Sequence, residues 1–100
     1  MLVVLQTRAF SRWLARLADG QIQMRLIGRI QQAETGNLGD WKQIDATIYE
    51  LRLHFGSGYR IYFIRREGNV VLLLVGGDKS SQQRDIQKAQ RIAAKFIELP

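Results

Sequence analysis

Along the chain the spacing of apolar positions changes, and each change marks an element. Leu2 to Gln6 is a short β-branched run with the length of an edge strand, and Thr7 behind it is a suitable helix N-cap. Phe10, Trp13, Leu14, Leu17 and Ala18 then fall at i, i+3, i+4, i+7 and i+8, the stripe of an amphipathic helix, while Arg8, Arg12 and Arg16 recur on another face. Asp19-Gly20 breaks that helix and can cap a second, which turns Ile22, Leu26, Ile27, Ile30 and Ala33 inward and stops at Gly36. The two helices form a hairpin.

Gly36 to Ala46 has no sustained period and reads as a loop, with Trp41 as its only large anchor. From Ile48 the period is two. Tyr49, Leu51, Leu53 and Phe55 alternate with Glu50, Arg52 and His54, and after Gly56-Ser57-Gly58 the residues Tyr59, Ile61 and Phe63 alternate with Arg60, Tyr62 and Ile64. This predicts a hairpin with a three-residue turn. Glu67-Gly68-Asn69 turns the chain into Val70 to Val75, whose unbroken hydrophobicity predicts a strand buried on both faces, ended by Gly76-Gly77. Ser80 with Gln83 fits a capping box opening a last helix, with Ile86, Ala89, Ala93, Phe96 and Ile97 inward and Arg84, Lys88, Arg91 and Lys95 as a basic ridge. The order β-α-α-β-β-β-α predicts a single α+β domain over residues 1–100, with an antiparallel meander, helices on one sheet face and the other face partly free.

Composition narrows the chemistry. Forty-six per cent apolar residues with one proline is the balance of a packed domain. No cysteine and one histidine exclude thiolate metal sites and disulfides and leave no metal or cofactor centre to expect. No apolar run approaches the length of a membrane span, and the apolar start Met1-Leu2-Val3-Val4-Leu5 lacks the features of a signal peptide, so the expected location is cytoplasmic, without a membrane partner. A net charge of +6 favours a polyanion or an acidic partner.

If Phe55 and Tyr59 flank the turn as a pair, Leu53 faces Ile61, His54 faces Arg60 and Arg52 faces Tyr62. Arg52, His54, Arg60 and Tyr62 then share one face, which is either an ordinary solvated sheet face or a phosphate-binding and proton-transfer set. Lys79, just past the last strand, is either a solvated turn lysine or a further phosphate ligand. Gly77-Asp78-Lys79-Ser80 lacks the glycines of a nucleotide-triphosphate loop.

Glu50-Leu51-Arg52, Gly58-Tyr59-Arg60-Ile61-Tyr62-Phe63 and Gly76-Gly77-Asp78-Lys79-Ser80-Ser81-Gln82, with Gly36-Asn37-Leu38-Gly39-Asp40 before them and Asp85-Ile86-Gln87-Lys88-Ala89 after, resemble the RelE/ParE superfamily of toxin–antitoxin toxins, in its HigB-like addiction module killer branch. The resemblance implies a RelE-like fold, a cognate antitoxin bound in a hetero-oligomer, and a ribosome-dependent, metal-independent endoribonuclease (an mRNA interferase) that uses the message's own 2′-hydroxyl and touches rRNA. It implies that Arg60 holds the scissile phosphate, with Arg52 and Lys79 as further cations. His54 and Tyr62 are the proton-transfer candidates from the shared face. Two alternatives stand beside it: a ParE-like inhibitor of DNA gyrase without nuclease activity, and a non-toxic basic RNA-binding accessory domain.

Overall fold

The computed structural model describes residues 1–97. Its elements are β1 (Val3–Gln6), α1 (Arg8–Ala15), α2 (Gly20–Glu34), β2 (Trp41–Gln43), β3 (Tyr49–Arg52), β4 (Arg60–Arg66), β5 (Val70–Gly77), a 3-10 turn (Lys79–Ser81) and α3 (Gln82–Ile97). The side chain of Ile97, placed inward by periodicity, lies outside the described residues. The α+β class and the order of the elements follow the sequence pattern. β2 is an addition within the stretch read as a loop. It forms because the Asp45 carboxylate accepts from the N–H groups of Thr47 and Ile48 (2.8 and 2.7 Å), a side-chain-closed turn that folds residues 41–43 back onto β3.

The strands lie in the order β1-β5-β4-β3-β2, with β1 parallel to β5 and the other neighbours antiparallel. Helices cover both faces rather than one. α1 and α2 close a core of Phe10, Leu26, Leu51, Leu53, Ile61, Phe63 and Leu73, and α3 closes a second of Ile48, Tyr62, Ile64, Leu72 and Leu74 with Ala89 and Ala93. The apolar residues of β4 and β5 alternate onto both faces. Leaving one face open would forgo about 2 kcal/mol for each large side chain exposed.

The β3–β4 register differs by two residues from the expected one: Leu51 faces Ile61 and Arg52 faces Arg60. The Leu53 N–H still donates to the Tyr59 carbonyl at 3.0 Å, so the connection is a five-residue loop, residues 54–58, in which Gly56 and Gly58 take φ of 60° and 78°. Two left-handed positions fit this wider loop, which a tight turn does not supply. An even shift keeps every side chain on its face, so Arg52, Arg60 and Tyr62 stay together, on the α3 side. His54 leaves the ladder.

Between Tyr62 and Phe63 the register to β5 slips by one, leaving Leu74 as the extra residue. Thr7 holds this bulge while capping α1: its hydroxyl donates to the Leu74 carbonyl (2.6 Å) and accepts from the Phe10 N–H. Gly76 and Gly77 continue the strand rather than ending it, because the space above each is taken, by the Trp13 ring over Gly76 and by the Asp85 carboxylate over Gly77. The capping box also starts earlier than Ser80 and Gln83 suggest. Asp78 is the cap, with Ser81 closing the box.

Candidate functional site

Two rows of side chains cross the α3 face of the sheet at the end nearest the residue 54–58 loop. One runs Asp40, Arg52, Arg60, Gly77, and the next Lys42, Glu50, Tyr62, Val75. Asp40 joins the first row through its carbonyl, which accepts the Arg52 N–H at 2.8 Å.

Glu50, which the sequence reading passed over, is the centre of this arrangement. It is 1% exposed, and its Oε1 lies 3.4 Å from Arg52 Nε and 3.9 Å from Arg60 Nε. Its Oε2 accepts from the Gln82 amide at 2.8 Å, tying the sheet to the first turn of α3. A carboxylate in phase with Arg52 on a strand of otherwise apolar neighbours was the available signal. A buried charge must be paired, and here one carboxylate serves two guanidinium groups.

Arg60 is 8% exposed and Tyr62 fully buried, whereas the Arg52 side chain keeps 32% of its surface. The Tyr62 hydroxyl has no hydrogen-bond partner among the described residues. Its burial, and then the nearby Glu50 and Asp85 carboxylates, push its pKa far above the ordinary tyrosine value. Asp85 accepts from Ser81 Oγ (2.5 Å) and closes the row over Gly77.

The solvent-facing edge carries the remaining candidates. His54 Nε2 is 2.6 Å from Asp40 Oδ2, and both side chains are exposed. A carboxylate only accepts, so Nε2 carries the hydrogen and Nδ1 is left for another partner. The bond from His54, then the neighbouring Arg52 and Arg60 charges, hold the Asp40 carboxyl below its usual range. Lys79 is exposed with its stem beside Gly58, and Ser57 Oγ donates to Asp78 across the same gap (3.1 Å). The structure therefore brings Arg52, Arg60 and Tyr62 into one cluster, sets His54 beside Asp40 at its rim, and places Lys79 on the loop side. Among the described residues no group of three His, Asp or Glu side chains could hold a metal ion, and no helix is long and apolar enough to cross a membrane.

A family described as phage derived protein Gp49-like (DUF891) matches residues 12–96. An uncharacterized protein of Haemophilus influenzae is 40% identical over 87 residues, covering 87% of this chain and 88% of that one. Among solved structures, a free mutant form of the Escherichia coli toxin RelE superposes with a TM-score of 0.68 at 14% identity, over 91% of this chain and 97% of the other. The E. coli RelBE toxin–antitoxin complex matches with a TM-score of 0.50 at 15% identity, over 78% of this chain and 96% of the other. The fold is RelE-like.

Proposed function

The chain belongs to the phage-derived Gp49-like family, and from that premise we propose that it is the toxin of a toxin–antitoxin module, an endoribonuclease that cuts mRNA on the ribosome. The observation that carries this reading is the Arg52–Arg60 row, set on a common carboxylate, with a histidine–aspartate pair at its open rim. Two guanidinium groups share the single Glu50 carboxylate, which leaves one positive charge in the row for a bound phosphodiester to meet.

In the proposed reaction the substrate phosphate lies on Arg52, with Arg60 behind it as a second positive charge. His54 Nδ1 takes the proton of the 2′-hydroxyl, and Asp40 holds the imidazole and balances its charge. The 2′-oxygen bonds to phosphorus, the bond to the 5′-oxygen breaks, and that oxygen takes a proton from a water, which recovers one from the protonated His54, so the histidine ends the reaction as it began. The products are a 2′,3′-cyclic phosphate and a 5′-hydroxyl. Arg52 and Lys79 balance charge on the phosphorane, a kind of stabilisation worth about 3 kcal/mol for one well-placed donor. Tyr62 keeps its proton and supports Arg60 from below. Glu50 is a positioning residue for both arginines.

A second reading, the gyrase inhibitor without nuclease activity, is favoured by one feature: Arg60 and Tyr62 lie beneath the first turn of α3, away from solvent. Expression in a bacterial host separates the two. Under the nuclease reading growth stops with shortened messages and normal plasmid supercoiling, and co-expression of a cognate antitoxin restores growth. Intact messages with relaxed plasmid would overturn it in favour of gyrase inhibition, and a harmless chain would overturn both.

A further inference from the structure

On the far side of the His54–Asp40 pair, a groove of about 480 Å³ runs between α2 and the start of the residue 54–58 loop. Its walls include Arg25, Arg29 and Arg52, and Asp40, already bonded to His54, is the only carboxylate among the described residues that line it. Arg29 is fixed in place, its guanidinium donating to Gln32 Oε1 and to the Leu38 carbonyl (both 2.9 Å). Arg25 is exposed and lies with its Cζ 4.0 Å above the Phe55 ring, without a carboxylate partner among the described residues. The ring holds one side of that flat cation while the residue as a whole stays exposed, which leaves it able to meet a second flat group.

Gly28, on the same wall, points to a ligand from a separate direction. A glycine within a helix costs about 1 kcal/mol relative to alanine. Such a cost is usually met by close packing, yet a Cβ at Gly28 would touch nothing within 4 Å. The fold does not need this glycine, and what its absent side chain provides is room in the groove.

We infer that this groove seats one unpaired nucleotide of a polynucleotide strand, next to the phosphodiester held at Arg52. The base stacks on the Arg25 guanidinium, as unpaired bases do on arginine planes. The neighbouring phosphate meets Arg52, and the Gln32 amide, held by Arg29, supplies donors for a base edge. A strand leaving the candidate site along α2 enters the groove directly, since Arg52 and His54 line both. This inference rests on the proposed action on RNA, and takes it further by naming where the strand runs and which residues contact the base.

The test is fluorescence anisotropy with a labelled single-stranded oligoribonucleotide of mixed sequence, on the full chain, at several salt concentrations. Arg25→Ala is expected to weaken binding about tenfold at every salt concentration, the loss of one base stack. Gly28→Leu puts a side chain into the groove from a position where its Cβ meets nothing within 4 Å. It is expected to weaken binding at least as much while the thermal midpoint holds or rises. Wild-type affinity in both variants would overturn the inference, as would no binding by the wild type at low salt. Wild-type binding that both variants lose, in a protein that leaves ribosomal messages intact, would keep the groove and overturn the nuclease reading instead.

Discussion

Glu50 and His54 represent opposite ways of using a charged side chain. Glu50 is buried between two arginines, so replacing it with alanine leaves Arg60 as an uncompensated charge at 8% exposure. A loss of about 3–5 kcal/mol is expected, the range for breaking a buried pair from one side, and denaturant unfolding measures it. Glu50→Gln keeps the shape and the contact to Gln82 and should lose less. The His54–Asp40 pair is open to water and contributes little to stability. His54→Ala is therefore expected to leave the unfolding midpoint unchanged while lowering cleavage by about 10²–10⁴-fold, the usual worth of a positioned acid or base. Asp40→Asn should reproduce part of that loss. An unaltered cleavage rate in His54→Ala would remove the histidine from the proposed chemistry.

At the scale of elements, the glycines of β5 and the turn that follows hold α1 and α3 to the sheet. Any side chain at Gly76 collides with the Trp13 ring, so Gly76→Ala should destabilise by about 1–3 kcal/mol, the cost of overpacking a rigid neighbour, read as a lower thermal midpoint. Asp78→Ala removes the cap before α3 and should cost about 1 kcal/mol. The sequence made most of these elements legible, because Thr7, Asp19 and Gly36 are local signals that act where they stand. The β3–β4 register was not, because the pairing of Leu53 with Tyr59 across a five-residue loop sets it, where the spacing equally allowed a shorter turn. Nor was β2, whose residues Trp41, Lys42 and Gln43 have no alternation and form a strand only because Asp45 turns the chain. Of the candidate site, the common face of Arg52, Arg60 and Tyr62 was legible, whereas His54 left that face with the change of register. Periodicity gives no depth, so the burial of Arg60 and Tyr62 beneath α3, and the role of Glu50, came only with the packing of the second core.

For the whole molecule, acid is the informative perturbation. Partial burial pushes Asp45 up, but the bonds from Gln90, Ile48 and Thr47 outweigh this and hold its carboxyl below the ordinary aspartate range, and the bonds from Ser80 and Ser57 act the same way on Asp78. A carboxyl whose folded pKa is depressed stabilises the fold fully above its unfolded value and loses that stabilisation as pH falls through the folded one. Stability is thus expected to be flat across neutral pH with respect to these groups and to fall below pH about 4. Asp45→Asn and Asp78→Asn should each flatten that fall in acid unfolding curves. The surplus positive charge, +6 over the chain, is carried by helices and sheet rather than by a tail. It suits both roles proposed for this molecule, the approach to RNA and capture by an acidic partner.

The most direct test of the central claim is to map the 5′ ends of a defined message translated in a purified system with the protein added. Discrete cuts within ribosome-bound codons, leaving 2′,3′-cyclic phosphate termini and absent with Arg52→Ala and His54→Ala, are the predicted result. A message that stays full-length on translating ribosomes at stoichiometric protein would contradict it.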